Sequence, residues 1–386
     1  MKRIATLAAV ATLALAACGS GGGSATSSSA SGSPAASSPA ASSPAASSPA
    51  AATLQVGFVY VSPLKGSSWT LAWDNARQAL EAAGATTATV EPIPESAEAA
   101  GVMEDLISKG NKLIFATAFG YQPFVLEEAT KHPDVNFVVI GPWIQETPAP
   151  ANVTVAFSDN WIVRYALGVL AAKETKTKTI GFVAANPIST VIASINAFAL
   201  GAQSVDKSIV TKAVFTGTWY DPPKSTQAAE ALAAAGADVI AQYEDSVGAL
   251  LGAEKAGVWG IGSEADTSAF APDAYLSGSV NNWNDFAVGA TKATIDGTWK
   301  STVYVGMLQD GGTGLGPINA KATPDARAAA EAAIAGLTDG SIVPFTGPIK
   351  DNTGKEVLKA GKQWKGVEVL DNMTFLVEGV DGTIPS

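Results

Sequence analysis

From residue 53 onward, short runs rich in Val, Ile and Phe alternate with Ala-rich amphipathic segments of roughly helical length. No other feature limits the possible folds as much. β-Branched runs of this size form strands, and a helix between consecutive strands returns the chain to the same edge, so the sheet is parallel. The pattern predicts strands over 54–61, 86–93, 112–118, 136–140 and 153–157, with helices over 68–83, 96–109 and 123–131 between them. The rhythm then repeats, with helices over 161–174, 189–205, 224–235 and 247–256 and strands over 179–184, 209–216, 238–242 and 258–262. A helix over 285–296, a strand over 302–307, a Gly-rich loop over 311–316, a helix over 324–336 and short β runs from 345 to 384 follow. The expected fold class is α/β, with two doubly wound parallel-sheet lobes joined by a hinge. The expected division gives 53–157 and 283–344 to a first lobe and 158–282 to a second, with 345–386 returning to the second. Ligands of such sheets bind beyond the carboxyl ends of the strands, which here implies a cleft between the lobes.

The first fifty residues cannot contribute to that core. Lys2-Arg3 precedes an apolar run over 4–17 that is too short to span a bilayer, and small residues end it at Cys18, which marks 1–17 as a signal peptide. Leu15-Ala16-Ala17-Cys18 resembles the lipobox of secreted bacterial lipoproteins, which implies lipidation at Cys18. Residues 19–52 hold only Gly, Ser, Ala, Pro and Thr, with Ser-Pro-Ala-Ala-Ser repeats beginning at Ser33, Ser38 and Ser43. The prolines favour extended chain of about 3.1 Å per residue, so this tether can hold a domain up to about 100 Å from its anchor. Loss of Lys2 and Arg3 takes the net charge from −11 to −13, so attachment would depend on the lipid and not on anionic headgroups.

Charge and residue counts exclude several function classes. A chain with 24 basic and 35 acidic residues lacks the basic face that nucleic-acid binding needs. One Cys excludes a disulfide framework. The single histidine, His132, stands in Lys131-His132-Pro133-Asp134, which reads as a solvated turn, so neither a Ser-His-Asp triad nor a metal centre is expected. Gly311-Gly312-Thr313-Gly314-Leu315-Gly316 lacks the spacing of a phosphate loop and lies far from the first strand-to-helix turn. No Gly-x-Ser-x-Gly elbow occurs. The chain is expected to bind without catalysis and without a cofactor.

The aromatic residues point to what it binds. Trp69, Phe119, Tyr121, Trp161, Trp219, Tyr220, Tyr243 and Trp283 fall in or beside strand-to-helix junctions, on the cleft side of each lobe. Aromatic rings there stack planar heterocycles, at about 1–3 kcal/mol per ring by analogy with nucleobase platforms. Ser68, Asn196, Asp221, Asp245 and Asn282 stand near them as hydrogen-bonding groups able to read the edges of a purine.

These residues resemble a family. Val56-Gly57-Phe58-Val59-Tyr60-Val61-Ser62-Pro63, Gly66-Ser67-Ser68-Trp69-Thr70, Leu113-Ile114-Phe115-Ala116-Thr117-Ala118-Phe119-Gly120-Tyr121, Ile195-Asn196-Ala197-Phe198, Trp219-Tyr220-Asp221-Pro222 and Phe345-Thr346-Gly347-Pro348-Ile349 are similar to the basic membrane protein family of bacterial ABC-transporter substrate-binding lipoproteins. The resemblance implies a type I periplasmic-binding-protein fold with three crossings between lobes. It also implies a purine held by aromatics in the cleft, delivery to an ABC permease and its ATPase, and a monomeric, lipid-anchored protein outside the cytoplasm. The nucleoside branch carries an Asp and a Phe-Asn in the first loop, where this chain has Lys65-Gly66-Ser67-Ser68-Trp69, and a ribose-binding Lys where this chain has Asn281. Both differences imply a purine base, with Trp69 as the stacking ring. Asp266 matches the acidic residue that meets ribose, which keeps a nucleoside as the alternative ligand. A ligand-sensing lipoprotein that signals to a protein partner is the alternative role.

Overall fold

The computed structural model describes residues 54–141 and 150–385. The expected signal peptide, Cys18 and the tether lie outside the described residues. The chain enters through β1 (Gln55–Val59), α1 (Ser68–Ala82), β2 (Thr86–Val90), α2 (Glu98–Ser108), β3 (Leu113–Ala116), α3 (Gln122–Lys131), β4 (Asn136–Ile140) and β5 (Val153–Ser158). It continues through α4 (Val163–Glu174), β6 (Thr179–Ala184), α5 (Ser189–Val205), β7 (Val210–Phe215), α6 (Pro222–Ala234), β8 (Val239–Tyr243), α7 (Gly248–Ala256), β9 (Trp259–Gly262) and β10 (Tyr275–Asn281). The remaining elements are α8 (Asn284–Ile295), β11 (Val303–Gly306), β12 (Thr313–Leu315), α9 (Pro324–Asp339), β13 (Ile349–Lys350), β14 (Glu356–Leu358), α10 (Val367–Asn372) and β15 (Val380–Asp381).

Two large sheets and a two-stranded β13-β14 ribbon form among the described residues. The first has the order β11-β5-β4-β3-β1-β2 and the second β12-β10-β9-β8-β6-β7-β15. Both are parallel except where β12 runs antiparallel to β10. Because helices cover both faces, the central strands are apolar throughout: in β3 every residue is buried, and in β4 all but the first. One face of the first sheet packs Ile114, Phe137 and Val139 under Met103 and Leu106 of α2 and Val125 and Leu126 of α3. The other packs Phe58, Phe115 and Val138 under Trp73 and Leu80 of α1 and Ala287 of α8.

The helices and strands follow the sequence pattern closely, with three differences. A strand absent from the pattern, β10, runs through the second sheet. Its residues Ser277, Gly278 and Ser279 give it little apolar signature, because the strand is crowded: a Cβ at Gly278 would lie 3.0 Å from the backbone of Gly262. The Gly-rich stretch expected as a loop contains β12, which pairs Thr313 with Asn281 and Leu315 with Ser279. The first lobe also ends sooner than expected. Only 283–306 returns to it, whereas β12 joins the second sheet and α9 packs Ala333 and Leu337 against Ala166 and Val169 of α4. The correction has a physical reason: β11 completes the edge of the first sheet beside β5, and the apolar stripe of α9 then has only the outer face of α4 to cover.

The lobes are therefore linked by three crossings, at β5 to α4, β10 to α8, and β11 to β12. They lie side by side. The Asp159 amide donates to Gly306 O (3.0 Å) and the Asn282 amide to Gly312 O (3.0 Å). Such a bundle of extended crossings is a hinge whose backbone torsions can change while each lobe stays rigid. Among the described residues no helix is long and apolar enough to cross a membrane.

Candidate functional site

The carboxyl ends of both sheets face one another, and the loops leaving β1 and β8 meet. Ser67 and Ser246 form an isolated antiparallel bridge. The Ser68 amide donates to Asp245 O (2.7 Å), and the Val247 amide donates to Gly66 O (3.1 Å). Ser62 Oγ donates to Asp245 Oδ2 (3.0 Å), and Tyr220 OH to Lys65 O (3.2 Å). Ser67 also caps α1, its Oγ accepting from the Thr70 amide (3.2 Å), so the loop that touches the other lobe is fixed at its helix end. The lobes are closed on each other here.

Behind this contact the cleft is lined by aromatic and acidic groups. Trp69 lies partly buried at the first turn of α1, with Nε1 donating to Thr117 O at the end of β3 (2.7 Å). Its ring meets Trp73 and Trp283 edge-on at 6.3 and 6.2 Å. From the second lobe, Trp219 meets Tyr243 edge-on at 6.4 Å and accepts at its carbonyl from the Asp245 amide (2.9 Å). Arg164 lies beneath, with its guanidinium 5.0 Å from the Tyr243 ring centre and donating to Gln242 O (3.0 Å) and Ser263 Oγ (2.7 Å).

Glu264 is the centre of the hinge side. Its carboxylate accepts from Asn160 Nδ2 at 2.9 Å to each oxygen and from Asn281 Nδ2, while Asn281 Oδ1 accepts from Ser158 Oγ (2.8 Å). Asn160 belongs to the first crossing and Asn281 to the second, so one buried carboxylate ties two crossings together. Glu264 holds this position with φ at +67°, a left-handed conformation unfavourable for a residue with a Cβ.

Burial sets the electrostatics. It pushes the carboxyl of Asp245 well above the usual carboxylate range, opposed by the Ser62 hydrogen bond. Glu264 is raised for the same reason, with Arg164 acting in the other direction. Glu244 is pushed up to about 7 by burial, against hydrogen bonds from Ser225 and Thr216. Burial lowers the Arg164 guanidinium, opposed by Glu264. The cleft floor thus holds one cation among three carboxyl groups that resist ionisation, and a neutral carboxyl both donates and accepts hydrogen bonds.

Of the residues expected at the site, Ser68, Trp69, Trp219 and Asp245 are brought together, and Phe119 stands exposed at the β3 end beside Thr117. The others do different work. Tyr121 is buried in the first lobe with its hydroxyl on Ile93 O (2.5 Å). Trp161 is buried against Phe345 at 5.6 Å. Trp283 stacks on Trp73 at 4.5 Å and 8° inside the first lobe. Asn196 donates to Phe375 O (2.8 Å) and accepts from the Val377 amide (2.9 Å), which holds the C-terminal segment. Asp221 caps α6 by accepting from the Lys224 amide (3.1 Å). Asp266 is exposed and accepts from the Ser268 amide (3.0 Å), and exposed Asn282 accepts from the Asn284 amide (3.2 Å). A junction aromatic has two sides on which to lie, and for Tyr121, Trp161 and Trp283 the apolar side won because burying such a ring removes 150 to 250 Å² from water, at ~25 cal/mol per Å². Short Asp and Asn side chains at helix starts satisfy free backbone amides first.

Glu264, Asn160 and Arg164 were not among the expected site residues. Two signals mark them: Arg164 is the only charge in an otherwise apolar helix until Lys173, and Glu264 stands two residues beyond a buried strand end. In the loop after β9, Glu264 and not Asp266 is the buried acid.

Two α/β lobes, three crossings and a polar, aromatic cleft define the periplasmic-binding-protein type of fold. An ABC-transporter solute-binding protein from Conexibacter woesei shares the fold, with a TM-score of 0.65 and 20% identity over 75% of this chain and 98% of that one. Residues 53–344 match the Bmp family, described as ABC transporter substrate-binding protein, PnrA-like, and the chain belongs to that family. Substrate-binding proteins of ABC importers work outside the cytoplasm with a permease and an ATPase. The chain is 36% identical over 335 residues to a purine-binding protein of Brucella abortus, covering 86% of this chain and 94% of that one. It is 32% identical over 341 residues to a Haloferax volcanii protein provisionally described as an ABC transporter glucose-binding protein, covering 86% and 82%.

Proposed function

We propose that this protein captures a purine base in the interlobe cleft and delivers it to an ABC permease, held at the membrane by a lipid on Cys18 and the Ser/Pro/Ala tether. The observation that carries the reading is the Trp69 ring at the cleft, fixed by its Nε1 bond to Thr117 O so that a planar heterocycle can stack without ordering the side chain. Trp219 and Phe119 supply further aromatic wall, and Asp245 reads ring nitrogens as donor or acceptor according to its protonation. The 36% identity to a purine-binding protein supports the ligand class. Asn281 supports a base over a nucleoside, because it is engaged with Glu264 and Ser158 and so is occupied where a ribose contact would be needed.

Ligand binding favours the closed arrangement because the heterocycle touches both lobes, adding to the Ser62, Ser67 and Ser68 contacts already present. The test is a titration of the stripped protein with purine bases, purine nucleosides and glucose, followed by heat and by tryptophan fluorescence. Saturable binding of a base, with nucleosides and glucose much weaker, is expected. Preference for a nucleoside overturns the reading of Asn281, and preference for glucose overturns the purine reading. A permease and ATPase encoded beside this chain agree with delivery, whereas a sensor kinase in their place favours signalling.

A further inference from the structure

Far from the cleft, the single histidine lies in a cluster that the binding function does not use. His132 is not a solvated turn but the capping residue at the end of α3, with about a quarter of its side chain exposed. Its Nε2 stands 3.0 Å from Glu104 Oε1 of α2 and 3.7 Å from Glu128 Oε2, one turn earlier on α3. All three ligand atoms lie within 4.8 Å of one another. The spacing of four residues places Glu128 and His132 on the same helical face, and α2 brings Glu104 to it.

The second observation concerns Glu128. Its side chain is 1% exposed, and its Oε2 is buried with no hydrogen-bond partner. Lys131 Nζ satisfies only the other oxygen, Oε1, at 2.9 Å, and also pairs with exposed Glu127 at 2.7 Å. A polar oxygen left bare inside a protein is unfavourable, and here it faces a histidine nitrogen and a second carboxyl group. Zinc bonds of about 2.0–2.2 Å to nitrogen and oxygen in tetrahedral geometry set ligand atoms about 3.3–3.5 Å apart, and the observed 3.0 and 3.7 Å bracket that spacing.

We propose that Glu104, Glu128 and His132 bind a divalent transition-metal ion, zinc or one of similar preference, through Oε1, Oε2 and Nε2, with water in the remaining position. Imidazole selects this class over magnesium and calcium, which take oxygen ligands alone. The ion would staple α2 to the end of α3 on the outer layer of the first lobe. Among the acidic and basic side chains here, Glu104, Glu127 and Glu128 outnumber Lys131, an imbalance that a dication offsets.

The full chain, stripped with a chelator, is titrated with zinc chloride and separately with cobalt chloride, following heat, thermal midpoint and visible absorption. One equivalent of zinc binding near the micromolar range, a raised thermal midpoint and the absorption of cobalt in a four- or five-coordinate site are expected. His132→Ala and Glu104→Gln are each expected to weaken zinc binding by about 100-fold or more while leaving the thermal midpoint of the metal-free protein and purine binding unchanged. Absence of saturable zinc binding to the wild-type chain overturns the proposal. So does zinc binding that survives His132→Ala, because the ion is then elsewhere.

Discussion

Replacing Gly168 with alanine is expected to destabilise the second lobe severely, although the same substitution in most helix interiors does the opposite. Gly168 lies in α4 where α5 crosses it, and an added Cβ would stand 2.0 Å from Phe198 O and 2.9 Å from the Ala202 nitrogen. Gly201 of α5 is its counterpart, with a Cβ position 2.0 Å from Tyr165 O. These neighbours are backbone and cannot rotate away, so the helices must separate by roughly 1.4 Å to reach ordinary contact. Leu167, Leu170, Ala171, Ile195, Phe198 and Ala202 of this seam are all essentially buried. A gap of that size forfeits about half or more of each contact's dispersion energy, which puts the cost near the top of the range of about 1–3 kcal/mol for overpacking. Alanine's better helix propensity returns at most about 1 kcal/mol, leaving a net loss of about 2 kcal/mol. Gly289 in α8 is the control, since nothing lies within 4 Å of its Cβ position. There the propensity term acts alone, and Gly289→Ala is expected to stabilise by about 0.5–1 kcal/mol. Urea unfolding followed by tryptophan fluorescence measures both. A Gly168→Ala variant with wild-type stability would refute the reasoning, as would equal losses in the two variants.

Glu244 makes stability depend on pH. Its folded pKa of about 7 lies above the ordinary 4.5, so the folded state keeps a proton that the unfolded chain has released. This contribution is fully present below about pH 4.5, is lost as pH rises to about 7, and amounts to about 3 kcal/mol at 1.36 kcal/mol per unit. Glu244→Gln should flatten the difference in thermal midpoint between pH 5 and pH 8, and an unchanged pH profile would show that the carboxyl is ionised in the folded protein. Asn196→Ala removes both bonds that hold Phe375 and Val377 and should lower stability by about 2–4 kcal/mol without altering purine affinity, readable by unfolding and titration on one sample. A loss of affinity in the folded variant would return Asn196 to the binding site. Trp69→Ala should weaken purine binding by about 1–3 kcal/mol, and unchanged affinity in a folded variant would remove Trp69 from the site.

What the sequence determined by itself was everything carried by short-range pattern. The alternation of β-branched runs and Ala-rich stripes specifies parallel α/β lobes because the periods of 2 and 3.6 residues are properties of the backbone. The positions of α1, α5 and β6 follow from it. Tertiary structure decided the rest, because the deciding energies lie between segments far apart in the chain. Strand β10 was hidden since its glycine and serines serve close packing against β9, not hydrophobic patterning. Whether a junction aromatic faces cleft or core depends on which neighbour covers it: Trp69 and Trp283 look alike in sequence, yet Trp283 is stacked on Trp73 and Trp69 stands at the cleft. Asp266 and Glu264 differ by two positions, and only the fold buries one between two crossings while leaving the other to cap a turn. His132 reads as surface punctuation until α2 and α3 pack together and set Glu104 and the bare oxygen of Glu128 beside it.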